Sequence, residues 1–365
     1  MPNSTTSSQG PTSKKRKVNR SGLDGNPLSK DLQLRALKVS QVTLNRYLHS
    51  IQVFEQWCSE HRHVSQRASL DSRVNAYLTH LYEEDAEITV ASYLIYGLQL
   101  LRCKIPKEQF LVESKQSLAG WRRQSPGKMR IPVPEEFVYD LATLALEQRK
   151  LDLAMLLVIQ FDGYLRPSEA LTLTVQHLNR PQGKRYPHWS LIIAPSTLGQ
   201  TTKTGKSDDS ILLGDHSQNR WIRECLRLWS QTKTDRLFPD ITLNAYERWC
   251  QQSCDTLQYK SRCVMPHVVR HAAASNDRYH QRRTLLEIQK RGRWQAKASV
   301  SRYEKHALLL SSWRQAADRR RKTIETRSQK FIEVSQTTVR LTAKIRTSQS
   351  MNGNGQHTSN LTAWI

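Results

Sequence analysis

The sequence predicts a mainly α-helical chain with one small β-sheet, arranged as two domains. Three observations carry this. Between about residues 40 and 115, apolar side chains recur at intervals of three and four, the helical period. A basic stretch with three prolines and a glycine, Trp121–Pro134, then breaks any regular pattern. Beyond it helical patterns return, together with two β-rich runs, Trp189–Ala194 and Ser210–Leu213, separated by a polar stretch containing Gly and Thr.

Residues 1–35 are rich in Ser, Asn, Gly, Pro and Lys, and read as a disordered basic tail. Within them, Lys14-Lys15-Arg16-Lys17-Val18 reads as a nuclear import signal, with a nonspecific basic arm or an expression tag as the other readings. Residues 40–118 form a helical domain. Its apolar stripes are Leu44, Tyr47, Leu48, Ile51, Phe54 and Trp57; then Val74, Tyr77, Leu78 and Leu81; then Val90, Tyr93, Leu94, Leu98 and Leu101. Aromatics on such stripes read as core rather than as a platform for stacking bases. Residues 119–134 form a linker whose basic side chains suit either a strap on a phosphate backbone or a solvated hinge.

Residues 135–310 form the larger, α+β domain. It opens with a helix over Glu135–Gln148, with Phe137, Leu141 and Leu144 on one face. Leu151–Gln160 follows, apolar nearly all round and therefore buried. The two β-rich runs read as neighbouring strands, and helices dominate from Trp221 onward. Residues 311–346 are basic, with a loose stripe of Ile324, Phe331, Val334, Leu341 and Ile345 broken at Arg327 and Thr338. They read as a helix that docks on a partner or as a weakly ordered tail. Residues 347–365 read as disordered.

The formal net charge of +24 over 365 residues favours a polyanionic partner. Double-stranded DNA or another nucleic acid fits, because each neutralised phosphate releases a counterion. A membrane is the rival reading, but no apolar run approaches the ~20 residues that span a bilayer. The longest, Leu151–Phe161, carries Asp152, and Met1–Gly10 is polar and unlike a secretory signal. The six cysteines form no paired C-x-x-C knuckles. Cys250, Cys254, Cys263 and His267 could be drawn as a metal site, but the spacing favours core and surface thiols, so no metal or cofactor is expected.

Four motifs carry chemistry. The first is Gly163-Tyr164-Leu165-Arg166-Pro167-Ser168-Glu169, and the second is Pro266-His267-Val268-Val269-Arg270-His271. The third is Arg291-Gly292-Arg293-Trp294, and Tyr303 lies nine residues after Trp294. A phosphodiester attacked by a hydroxyl passes through a pentacoordinate, doubly charged transition state that needs fixed cations and donors. Arginine supplies a planar fork that stays charged. Arg166 follows the most apolar segment of the chain, an odd place for a merely solvated charge. His267 and Arg270 lie three apart and share a helix face. Histidine moves protons near neutrality, the Trp294 indole is a donor, and a tyrosine hydroxyl is a possible nucleophile.

In order and spacing these motifs resemble the catalytic domain of tyrosine recombinases, the integrase family of site-specific DNA recombinases. Its boxes read G-L-R-x-x-E, then P-H-x-x-R-H, then G-H or G-W, with the tyrosine nine residues on. The resemblance covers roughly residues 40–310. It implies that Arg166 and Arg270 bind the scissile phosphate with His267 and Trp294, and that Tyr303 becomes joined to the 3′-phosphate. It implies further that His267 assists proton transfer from Tyr303 and that Glu169 and His271 support the site. The family's lysine lies in a turn between two strands, which picks Lys203, with Lys206 as second choice. The resemblance also implies an N-terminal core-binding-like domain that clamps DNA, and a homotetramer on two duplexes. With the basic cluster it suggests a nuclear, mobile-element-like enzyme. A type IB topoisomerase-like enzyme and a catalytically silent, domesticated DNA-binding protein are the alternatives. Departures from the family pattern are Pro167, Arg293 between Gly292 and Trp294, and a long Gln182–Gly205 stretch.

Overall fold

The computed structural model describes residues 20–61, 69–126, 130–200, 202, 207–259, 263–304, 306–316 and 320–333. The Lys14–Val18 cluster, Lys203, Lys206, the stripe residues Val334, Leu341 and Ile345, and residues 347–365 lie outside them. The chain divides into two units, Met1–Lys128 and Met129–Ile365. Mainly helical architecture with one small sheet is what the structure shows.

The first unit is built from α1 (Lys30–Ala36), α2 (Gln41–Glu60), α3 (Leu70–Glu83), α4 (Ile88–Leu101) and α5 (Val112–Gln124). Ser40 and Ser69 cap α2 and α3 by accepting from the N–H groups of Thr43 and Ser72. Leu111, at the start of α5, has no capping side chain, so α3 supplies the cap. Asp71 accepts from the backbone N–H groups of Glu113 and Ser114 at 3.0 Å each and from the Ser114 hydroxyl at 2.6 Å. Those bonds outweigh its burial and hold the Asp71 carboxyl below its ordinary value.

All four stripe residues of α3 are buried, as the spacing predicts. On α4 the buried face is Ala91, Leu94, Ile95 and Leu98, while Val90 and Tyr93 are only half-buried. Here the helix is apolar almost all round, so its neighbours decide which face turns inward. At Gly97 a Cβ would meet Tyr47 Cβ at 3.0 Å and Ile51 Cδ1 at 3.3 Å, so α2 and α4 approach closely there. The aromatics split into two groups. Phe54 and Tyr77 are core, whereas Tyr93 and Tyr96 reach the surface beneath Arg46 and Arg122. Helix α5 runs through Gln124, four residues into the stretch expected to be irregular, because Leu118 and Trp121 are anchored in the core.

In the second unit, α6 (Glu135–Glu147) packs on α7 (Leu151–Asp162), whose residues from Leu153 to Asp162 are all buried. A short helix α8 (Pro167–Leu171) follows. The sheet is an antiparallel meander of β1 (Leu178–Asn179), β2 (Trp189–Ile193) and β3 (Asp209–Leu213). Strand β1 was not foreseen, since two residues carry no alternation. Then come α9 (Trp221–Trp229), α10 (Leu243–Thr256), α11 (Pro266–Tyr279), α12 (Leu285–Gly292) and α13 (His306–Gln315).

Two buried amides tie the core together. Gln160 of α7 donates to the carbonyls of Pro266 at 2.6 Å and Leu165 at 3.3 Å, and accepts from the Tyr246 hydroxyl at 2.8 Å. Asn276 of α11 accepts from the Glu135 N–H at 3.1 Å and donates to the Val133 carbonyl at 2.9 Å. Residues 320–333 form a last helix, α14, docked on its own unit through buried Ile324 and Phe331. Arg327, which interrupts the apolar stripe, pairs with Asp140 and Glu147 of α6. Cys225, Cys250 and Cys254 are buried and Cys58, Cys103 and Cys263 half-buried, and none of the six is in a disulfide. Among the described residues no group of three His, Cys, Asp or Glu is placed to hold a metal, and no helix is long and apolar enough to cross a membrane.

Candidate active site

Four segments of the second unit converge: the turn into α8, the first half of α11, the end of α12, and a 3₁₀ turn at Ser301–Glu304. Arg166 is the residue before Pro167, and a residue in that place is held extended. Its φ of −66° and ψ of 148° suit the cap of α8, with Pro167 at the first helical position. The Arg166 N–H donates to Glu169 Oε2 at 2.8 Å, and its guanidinium pairs with Glu169 Oε1. The unusual proline is therefore what sets Arg166 facing its carboxylate.

Tyr164 precedes this cap with φ 48°, a left-handed conformation that turns its carbonyl toward α11. Arg270 Nη1 donates to that carbonyl at 2.6 Å, and Arg270 Nη2 donates to the Gly292 carbonyl. Arg270 also lies 3.5 Å from Glu169 Oε2, and Arg293 Nη2 reaches the same oxygen at 2.6 Å. Three guanidinia thus surround one carboxylate. Burial raises the Glu169 carboxyl, but Arg293, the Arg166 N–H, Arg166 and Arg270 together hold it below its ordinary value. Burial presses the Arg270 guanidinium downward, and so do the nearby cations Arg293 and Arg166, against the pull of Glu169. Of the three arginines, Arg166 keeps the most exposed side chain, at 23% against 5% for Arg270 and 7% for Arg293.

The ring of Trp294 lies 4.8 Å from the Arg270 guanidinium and 4.9 Å from the Tyr303 ring. It folds back over Gly292, where a Cβ would fall 1.8 Å from a ring carbon, so only glycine fits. Arg293 makes that fold possible by adopting φ 55° between them. The extra residue in the third box is thus the pivot that lays the indole on Arg270.

Tyr303 is buried, and its hydroxyl is 2.9 Å from His271 Nδ1. Burial pushes the phenol up to about 12, against the pull of Arg270 and Arg302. Burial likewise pushes His271 down to about 4, helped by Arg270, Arg130, Arg302 and His267. At neutral pH the imidazole is therefore uncharged, and in the tautomer protonated at Nε2 its Nδ1 accepts from the phenol. His271, to which the family resemblance assigned only a supporting place, is hydrogen-bonded to the phenol hydroxyl. His267, half-buried in the first turn of α11, lies one helical turn before it.

Beside Arg166 a cleft is lined by Ser168, Glu169, His177, Gln200 and Thr202. This brings Thr202, on the connection between β2 and β3, to the site's edge. Lys203 and Lys206 fall outside the described residues. The structure therefore assembles Arg166, Glu169, Arg270, His271, Trp294 and Tyr303, and it adds Arg293 and the Tyr164 carbonyl. Arg293 gave a signal in the sequence, an arginine amid the third box, which read only as a departure from the family pattern.

No family model matches the chain, and no curated protein does. Among solved structures it is similar to the XerH site-specific recombinase bound to difH substrate in a pre-cleavage complex. That match has 14% identity and a TM-score of 0.48, and covers 77% of this chain and 83% of the other. It is similar also to the Tn1549 transposon integrase in complex with transposon right end DNA, at 13% identity and TM-score 0.49, covering 75% of this chain and 92% of that one. The XerA recombinase matches at 14% identity and TM-score 0.36, covering 77% of this chain and 92% of that one. At these levels the likeness is one of fold alone.

Proposed function

We propose that the chain is a DNA strand-transferase of the tyrosine recombinase type, which cuts and rejoins double-stranded DNA through a 3′-phosphotyrosine. The observation that carries this is the Tyr303 hydroxyl on a neutral His271, beside an arginine cluster with more cations than carboxylates. His271 takes the phenol proton as the Tyr303 oxygen bonds to phosphorus. The bond from phosphorus to the 5′-oxygen breaks, and that oxygen takes a proton, for which Lys203 is the proposed donor. Arg166 and Arg270 hold the non-bridging oxygens. The ester stores the energy of the cut bond, so resealing needs no nucleotide cofactor.

The same reading extends to a homotetramer on two duplexes, to DNA clamping by the first unit, and to nuclear import through Lys14–Val18. The test is covalent trapping on nicked duplexes selected from a random library. Tyr303→Phe removes one hydroxyl and no charge, so it should lose all trapping and keep DNA affinity within about twofold, a few tenths of a kcal/mol. Trapping by the Phe variant would remove Tyr303 from the reaction.

A further inference from the structure

We propose that Arg293 is a positioning residue that sets the charge of the phosphate site: it neutralises Glu169 and so leaves Arg166 and Arg270 with two positive charges to offer. This rests on the phosphoryl-transfer reading above. Glu169 Oε2 takes Arg293 Nη2 at 2.6 Å but Arg270 Nη1 only at 3.5 Å, so Arg293 is the closer guanidinium at that oxygen. Arg293 is itself held by the Arg291 carbonyl at 3.1 Å and, more loosely, by the Tyr164 carbonyl at 3.4 Å. The second of these is the carbonyl that anchors Arg270.

The backbone of Arg293 makes the same point from another side. At φ 55° it ends α12 in the left-handed region, where glycine is the favoured residue. An arginine there carries a steric cost, and this turn brings its side chain to Glu169. Arg166 already meets Glu169 at Oε1, and without Arg293 the whole Glu169 charge would fall on Arg166 and Arg270, the groups that a phosphate needs. Among the described residues that form ion pairs here, three guanidinia around one carboxylate leave a surplus of two charges, which matches a doubly negative transition state. Loss of Arg293 would leave a surplus of one.

The test is orthovanadate binding to the full chain, a tetrahedral oxyanion followed by vanadium NMR. Arg293→Gln should weaken binding on the order of tenfold, the scale of one charge in a partly wet site. Arg293→Lys, which keeps the charge, should stay within about threefold of wild type on the same scale. The double variant Glu169→Gln with Arg293→Gln restores the surplus of two and should regain wild-type affinity. A purely structural role would not produce that rescue. If Arg293→Gln does not fold, the double variant decides: it should fold and bind as the wild type does. Unchanged affinity in Arg293→Gln, or a double variant no better than the single, overturns the inference. Arg166→Ala separates the two readings, since vanadate binding that survives this change would mean that no phosphate site exists there at all.

Discussion

Two arginine clusters in the second unit use the same chemistry to opposite ends. In one, Arg282, Arg283 and Arg291 face Glu135, Asp162, Asp215 and Asp277. Three guanidinia meet four carboxylates, so every guanidinium is answered. Arg282 and Arg283 are held above the ordinary arginine value despite their burial, by Glu135 in the first case and Asp215 in the second. In the other cluster, Glu169 is the one ion-pair partner of Arg166, Arg270 and Arg293 among the described residues, with Asp209 acting on Arg293 from farther off, and burial presses Arg270 and Arg293 down. A buried arginine is thus read by its counter-charges. The cluster whose guanidinia are all answered is a strut, and the one with surplus guanidinia is where the proposed function places an anion. The two meet at Tyr164, whose hydroxyl donates to Asp277 of the strut at 2.5 Å while its carbonyl holds Arg270.

Substitutions can break this contrast. The largest effect belongs to Arg270→Ala, which removes a buried guanidinium and its cation–π contact with Trp294. Covalent trapping should fall by at least ~10²–10³, the cost of one oxyanion donor. Trapping within tenfold of wild type would place Arg270 outside the chemistry. Arg166→Ala should cost trapping equally, yet leave the urea midpoint almost unmoved, since a partly exposed pair contributes only about 0–1 kcal/mol. Arg283→Ala should do the reverse. It leaves Asp215 and the buried Asp277 short of a cation in a part-buried network, and leaving such a group unsatisfied costs about 1–3 kcal/mol. If Arg283→Ala unfolds like wild type, the strut has been misread.

The smallest effect concerns pH. His271 titrates near 4 when folded and near 6.5 when unfolded, so the unfolded chain binds the extra proton between those values. Its contribution to stability is full above about pH 6.5 and is lost as the pH falls toward 4. The wild type should therefore lose stability over that window more steeply than His271→Asn does. Parallel curves would contradict the neutral imidazole on Tyr303.

Much of this was legible in the sequence, and the exceptions have physical reasons. The α3 stripe announced its buried face because polar residues fill the other side. Helix α4 did not, being apolar nearly all round. Strand β1 is too short to alternate, and α5 outran its expected end because Trp121 is tethered in the core. At the site, the order and spacing of the motifs, with the family resemblance they carry, brought Arg166, Arg270, Trp294 and Tyr303 into view. They could not show that Arg293 reaches back to Glu169, because that contact spans 124 residues and depends on a left-handed turn. Nor could they show that His271, expected only to support the site, bonds to the phenol, since His267 and His271 occupy one helix face.

The central claim is that Tyr303 attacks a DNA phosphate within the unbalanced arginine cluster. Its most direct test is peptide mass spectrometry of the full chain after trapping on a nicked duplex. A nucleotide joined through its 3′-phosphate to Tyr303, with a free 5′-hydroxyl on the released strand, is the predicted result. An adduct on another residue, a 5′-linked adduct, or no adduct from a chain shown to bind that duplex would contradict it.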